Sequence, residues 1–198
     1  MNRNFDRLTF VSLIVPSDLQ LLRRSADGDE SAFRALVDRH EQAVARVVTA
    51  MLGSGDDADD VGQETFVRLF RAKTDFRGDA QLRTYLTRIA MNLCCDVLDR
   101  RKRQSGWTRL TGSDDDDDVQ LAAPETADPI EEAERNETLR QAVESLDAKH
   151  KAVVVLRILE DRSTRDTAAL LGVPEGTVMS RLTRALGKLK VTLGPEFL

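Results

Sequence analysis

The run Gly112-Ser113-Asp114-Asp115-Asp116-Asp117-Asp118 constrains this chain more than any other feature. Five consecutive carboxylates cannot enter an apolar core, and their mutual repulsion favours extended backbone. Pro124 and Pro129 add further breaks, and apolar periodicity is missing between Gly106 and Pro129. The 198 residues are therefore expected to divide into an N-terminal arm at 1–17, a domain at 18–106, a disordered acidic linker at 107–134 and a second domain at 135–193. A linker of this length lets the flanking domains sit far apart. Charge follows the same division. Residues 111–137 carry eleven acids against Arg135, a net of −10. Residues 18–106 balance fifteen acids with fifteen bases, and residues 138–198 carry ten bases against seven acids, a net of +3. The overall charge of −5 thus hides two regions that need not repel a polyanion, because salt screens charges beyond about 8–10 Å.

Both domains read as all-α. Ser17 can cap a short helix that Gly28 ends, and Asp29 can cap the next. Phe33, Leu36, Val37, His40, Val44, Val47, Val48 and Met51 then recur at helical spacing until Gly53-Ser54-Gly55. A third helix runs from about Asp57 to Lys73, with Val61, Thr65, Leu69 and Ala72 inward. A loop at 74–80 precedes a long helix from about Gln81 to Arg103, striped by Leu82, Tyr85, Leu86, Ile89, Leu93 and Val97. After the linker, helical spacing resumes at Ile130. Leu139, Val143 and Leu146 mark one helix, and Asp147 caps a second with Val153, Val154, Leu156 and Ile158 largely buried. Ser163-Thr164-Arg165-Asp166 resembles a capping box for a third, which Gly172 ends, and a last helix spans about Glu175 to Thr192 with Val178, Leu182, Ala185, Leu186 and Leu189 inward.

The same residues weigh against several functions. No apolar run approaches the ~18 residues of a membrane span, and Leu8–Val15 reads as a loose arm without a cleavage site, which points to a cytoplasmic protein without membrane insertion. Adjacent Cys94 and Cys95 diverge on a helix and cannot pair ordinarily, and with two distant histidines they do not make a metal site. No cofactor and no catalytic residue are expected: His40 falls on an apolar face, His150 at a helix start, and no phosphate-cradling glycine loop is present.

The last two helices suggest DNA binding. Ala168 precedes Gly172 by four residues and Val178 follows it by six, so a small residue, a left-handed turn and an apolar plug stand where a helix-turn-helix needs them. From residue 176 to 195 the only charges are Arg181, Arg184, Lys188 and Lys190. Thr177, Met179, Ser180, Arg181 and Arg184 lie near the start or on the outer side of that helix, where a recognition helix meets base edges and phosphates. A solvated basic face on an ordinary helical hairpin is the plainer alternative.

Three segments carry a family resemblance. Asp56-Asp57-Ala58-Asp59-Asp60-Val61-Gly62-Gln63-Glu64-Thr65-Phe66-Val67-Arg68 resembles the core-polymerase-binding segment of extracytoplasmic-function sigma factors. Leu82-Arg83-Thr84-Tyr85-Leu86-Thr87-Arg88-Ile89-Ala90-Met91-Asn92-Leu93 resembles their segment for the −10 promoter element. Gly172-Val173-Pro174-Glu175-Gly176-Thr177-Val178-Met179-Ser180-Arg181-Leu182 resembles their recognition helix for the −35 element. The order and gaps agree from residue 18 to 193. Tyr85 stands where Trp is usual, Met179 where Lys or Arg is common, and Gly187 where a base is usual.

The resemblance implies a non-enzymatic RNA polymerase subunit that opens promoters. Thr177, Met179, Ser180, Arg181, Arg184 and Lys188 would contact the −35 element. Phe76, Arg77, Gly78, Arg83, Arg88, Asn92, Arg100, Arg101, Lys102 and Arg103 would serve the −10 element and melting. Asp57, Asp60, Gln63, Glu64 and Arg68 would dock on the clamp helices of the largest polymerase subunit, with the flap as a further contact. An anti-sigma factor, often membrane-held, is the expected regulator, and a stress or envelope regulon the expected output. Phe76 could equally be a core plug, the acidic stripe plain solvated surface, and Asp114–Asp118 a spacer or a phosphate mimic in the polymerase channel. The alternative function is a stand-alone helix-turn-helix regulator.

Overall fold

The computed structural model describes residues 16–76, 78, 81–110 and 129–194, with side chains omitted at 105–110 and 129–136. The arm before residue 16, Arg77 of the loop and the acidic run 114–118 lie outside the described residues. Helix starts follow the capping signals. In α1 (Asp18–Ala26) the Ser17 hydroxyl accepts the Gln20 amide at 3.3 Å, while the Gln20 side chain accepts the Ser17 amide at 2.9 Å. In α2 (Glu30–Leu52) Asp29 accepts the Ala32 amide at 3.1 Å and is itself held by Arg24 at 2.7 Å. These bonds, led by that from Ser31, hold the Asp29 carboxyl down at about 2. The third helix, α3 (Asp56–Ala72), has no side-chain cap, and Asp56, Asp57 and Asp59 in its first turn complement the helix dipole instead.

These helices and α4 (Leu82–Leu110) close a bundle around Leu22, Leu36, Met51, Leu69, Leu86 and Met91, all essentially solvent-free. Burying each such side chain stabilises by roughly 1.5–3 kcal/mol. His40 belongs to this interior: its Nε2 lies 2.9 Å from Asp18, which Arg39 also holds at 2.6 Å, so the histidine ties α1 to α2.

The second half contains α5 (Pro129–Glu144), α6 (Ala148–Val154), α7 (Thr164–Leu171) and α8 (Glu175–Leu193), with a π-helical turn at Val155–Leu159 after α6. Its interior has two parts. Ala142, Leu146, Val154, Ala185, Leu189 and Leu193 join α5, α6 and α8. Val153, Ala168 and Val178 join α6, α7 and α8.

Three expectations need correction. Ile158 is not buried: it is 51% exposed and Leu159 59% exposed, because the π turn adds a residue to the helical register and rotates both outward. Leu139 and Leu186 are exposed at the edges of their stripes. The long helix reaches Leu110 rather than ending near Arg103, and helical backbone begins again at Pro129.

The two halves are in contact. Ala152, Val155, Leu156 and Leu170 share one apolar cluster with residues of α1 to α4. A long linker limits only the maximum separation of its ends, and here apolar complementarity brings the halves together. The buried face of α4 is accordingly wider than one stripe and includes Ala90, Met91 and Cys94. Burial pushes the Cys94 thiol up to about 12. Among the described residues no helix is long and apolar enough to cross a membrane, and no group of metal-ligating side chains is assembled.

Two glycines make a paired test. Gly172 has φ 64 and ψ 36, whereas Gly187 sits inside α8 with open space where a Cβ would stand. Gly172→Ala should destabilise by about 1–2 kcal/mol and Gly187→Ala should stabilise by up to about 1 kcal/mol, read as opposite shifts of the urea midpoint.

Candidate nucleic-acid interface

The helix-turn-helix forms as its residue types require. Ser163 accepts the Asp166 amide at 3.0 Å and donates its hydroxyl to the Asp166 carboxylate at 2.7 Å, which starts α7. The amides of Gly172 and Val173 both return to the Ala168 carbonyl, closing the turn. Val178 is fully buried against Val153 and Ala168, so the angle between α7 and α8 is set by a valine in a gap that only a small residue at 168 leaves open. Pro174 precedes α8 with its φ already helical, and Glu175 places a carboxylate in the first turn.

On α8, Met179, Ser180 and Arg184 are exposed, and Thr177 and Arg181 are half-buried. The Thr164 hydroxyl lies 3.7 Å from the Met179 sulfur, linking the start of α7 to the outer face of α8. Arg181 and Arg184 form no ion pair among the described residues, as suits groups that meet phosphate or guanine. Lys188 differs: its Nζ donates to Asp147 at 3.2 Å, so it braces α8 against the start of α6.

The expected −10 group is less uniform. The Phe76 ring packs at 5.2 Å from the Tyr85 ring and is half-buried against the core, in the plug position. Gly78 is exposed with φ 81. Arg88 and Asn92 project from α4 into solvent. Arg83 donates to Glu160 of the second half at 3.2 Å. Arg100 and Arg101 reach Asp57 at 3.6 and 2.5 Å, and Arg101 also donates to the Leu52 carbonyl, which ties α4 to the start of α3. Lys102 and Arg103 are exposed.

That tie gives Asp57, at the start of the acidic stripe expected on α3, two arginine partners within the chain. The remainder stays on the surface: Asp60 and Gln63 are exposed, and Glu64 accepts from Arg68 at 3.0 Å one turn on. Gln63 edges a groove between α2 and α3, about 340 Å³ in volume, lined by Val37, Val44, Val48 and Phe66 among others. Val44 and Val48 are buried, as their spacing predicts, and they floor this groove beneath the half-buried Val37 and Phe66. Two half-buried stripes on neighbouring helices signal such a groove only once the helix pair is known. Glu160 was missed, since nothing local distinguishes it from a surface acid.

Family comparison agrees with this geometry. A model described as "Sigma-70 region 2" matches residues 36–104, and one described as "Sigma-70, region 4" matches residues 136–189. The RNA polymerase sigma-H factor of Pseudomonas aeruginosa is 32% identical over 184 residues, covering 90% of this chain and 94% of that protein. The ECF RNA polymerase sigma factor SigM of Mycobacterium tuberculosis is 34% identical, covering 90% and 85%, and the ECF RNA polymerase sigma-E factor of Escherichia coli K12 is 35% identical, covering 85% and 90%. Among solved structures, CnrH in complex with the cytosolic domain of CnrY is similar with TM-score 0.60 and 28% identity, over 90% of this chain and 97% of that one. RpoE of Bartonella quintana, in complex with the anti-sigma factor NepR, shares the fold with TM-score 0.59 at 20% identity.

Asp147 offers a direct test of the brace under α8. Burial raises its carboxyl, but bonds from His150 and Lys188 outweigh this and hold it at about 2. A depressed carboxyl adds stability that is full above its unfolded value near 3.9 and is lost as pH falls through the folded value. Asp147→Ala should therefore cost about 1 kcal/mol at pH 7, as loss of a helix cap does, and the gap to the wild type should close as pH falls from about 4 to 2. Urea melts at successive pH values measure it.

Proposed function

Because this chain belongs to the extracytoplasmic-function sigma factors of the sigma-70 family, we propose that its two halves divide the work of promoter recognition in the way that family resemblance implies. The second half grips −35 duplex through α8, and the first binds core polymerase and holds unpaired −10 bases. The observation that carries the −35 assignment is the face of α8, where Arg181 and Arg184 form no ion pair among the described residues and stand beside Thr177, Met179 and Ser180. Guanidinium groups there can take guanine edges or phosphate. Met179 gives an apolar contact where a cation is usual, which favours a thymine methyl over a phosphate at that point.

Opening the −10 element needs no bond chemistry from the protein. It needs tighter binding of the unpaired strand than of the duplex. Flipping a base costs a few kcal/mol, and stacking returns about 1–3 kcal/mol per base. With Phe76 packed on Tyr85, the stacking surface is better supplied by the exposed edge of that aromatic pair and by the loop at 74–80 than by a free phenylalanine. Arg88, Asn92 and Arg103 follow the strand along α4. Asp60, Gln63, Glu64 and Arg68 meet the polymerase clamp, with the neighbouring groove as an apolar complement. Arg100 and Arg101, tied to Asp57, act first by fixing α4 on α3 and second by lending positive potential.

The chain acts in the cytoplasm, as a subunit rather than a catalyst, and under an anti-sigma partner, as RpoE of Bartonella quintana is bound by the anti-sigma factor NepR. Its output is a stress or envelope regulon. The distinguishing experiment is run-off transcription over a genomic library. Purified chain with core polymerase should give a small set of start sites sharing one −35 and one −10 sequence, and chain alone should bind none of them specifically. Specific binding without polymerase would instead make it a stand-alone regulator. Arg181→Ala and Arg184→Ala should each weaken promoter binding by the polymerase complex and reduce the salt slope of log K by about 0.9 where the lost contact is a phosphate.

A further inference from the structure

The contact between the halves is incompatible with the work just assigned to them. The −35 and −10 elements are centred roughly 25 base pairs apart, which is about 85 Å of duplex at 3.4 Å per pair. Here Arg181 and Arg184 of α8 line one cleft of about 780 Å³ together with Leu98, Asp99 and Lys102 of α4. A cleft of that size cannot hold a duplex, and residues that share it cannot reach elements so far apart. This arrangement is therefore a different state from the promoter-bound one.

One side chain stands at the centre of the contact. Glu160 follows the π turn, and its side chain is only 8% exposed. Its two oxygens face two arginines of the first half: Arg46 of α2 at 3.5 Å and Arg83 of α4 at 3.2 Å. Both arginines keep about half their surface in solvent, so they can be rehydrated readily when released. In the same contact Ala152, Val155, Leu156 and Leu170 form an apolar seal with the core of the first half. The segment bearing Glu160 is irregular. It leaves a π turn, and Asp161 has φ 47, the one positive value at a non-glycine among the described residues. Arg157 and Arg162 beside it have buried guanidinium nitrogens with no partner among the described residues. The seal also encloses Lys151, 2% exposed and next to Cys94 and Arg101 of α4, and burial pulls its ammonium group down from the usual lysine range. The orphaned guanidinium nitrogens mark the segment that carries Glu160 as poorly satisfied, as suits one that must move.

We propose that Glu160 is an intramolecular latch: by holding Arg46 and Arg83 it keeps the free chain closed, withholding Arg83 from the −10 strand and α8 from duplex until polymerase binding separates the halves. The inference rests on the functional reading above only for what closure prevents. Closure itself is a property of the free chain. Polymerase then works against a closed population, and its apparent affinity falls by the fraction of chain that is open. Replacing Glu160 removes the attraction for both arginines, and replacing Arg46 leaves the largely buried Glu160 carboxylate with Arg83 alone, so either change shifts the population toward opening.

The test uses the full chain with dyes at the exposed positions Arg34 of α2 and Lys190 of α8. Glu160→Gln and Arg46→Ala should each lower energy transfer in the free chain, and the double variant should lower it little further. Each should also reduce, by about fivefold or more, the core polymerase concentration that gives half-maximal promoter-directed transcript. Arg46 is outside the residues assigned to DNA or polymerase, and thermal melts confirm that each variant is folded. Energy transfer equal to the wild type in either variant overturns the latch, and so does lowered transfer with unchanged polymerase dependence. Loss of all start-site preference in the wild type would instead overturn the functional reading, while leaving the closure result to stand or fall alone.

Discussion

Helix α4 is buried on two sides, and both halves of the chain are built against it. One side meets α2 and α3 through Leu82, Leu86, Leu93 and Val97, and the helix also carries Met91 and Cys94 into the cluster that receives Ala152, Val155 and Leu156. A single helix is thus the spine of the first bundle, the platform for the second, and the bearer of Arg83, Arg88 and Asn92. Any motion that frees the second half exposes part of that platform to water. The apolar area re-covered elsewhere, on polymerase or on an inhibitor, decides whether the motion is favourable.

That dependence explains why charge here is arranged in ties rather than in isolated pairs. Asp18 holds Arg39 and His40, Asp57 holds Arg100 and Arg101, Asp147 holds His150 and Lys188, and Glu160 holds Arg46 and Arg83. The first three carboxylates fix helices within one half. Of these four carboxylates, Glu160 alone pairs across the two. Surface pairs are individually worth little, but a carboxylate shared by two bases at a helix junction fixes geometry that one pair would not. Several of these bases would serve DNA if released, so the ties set which cations are available in which state.

Much of this was legible in the residues. Ser17, Asp29, Asp147 and Ser163 each cap a helix at the predicted place, and Gly172 and Val178 form the turn and its plug. These are local signals with short-range physical causes. The misses share a different cause. Ile158 and Leu159 are exposed because a π turn shifts the register, which apolar spacing at 3.6 residues per turn cannot anticipate. Asp57, Lys188 and Arg83, expected at polymerase or DNA, also hold partners within the chain that spacing does not reveal, because Arg101, Asp147 and Glu160 lie 44, 41 and 77 residues away. The α2–α3 groove and the docking of the halves are likewise products of tertiary placement. Arg77 and the acidic run 114–118 lie outside the described residues, so the roles expected of them rest on sequence.

In the proposed division of labour, one half reads duplex upstream while the other reads unpaired bases downstream on the same polymerase. Photo-crosslinkers placed at Ser180 and at Asn92, in chain bound to core polymerase on a promoter fragment, measure this directly. Crosslinks are expected at two sites roughly 25 base pairs apart, the Ser180 site in duplex and the Asn92 site in permanganate-reactive, unpaired DNA. Crosslinks from both positions to one stretch of duplex, or from neither in the presence of polymerase, would contradict it.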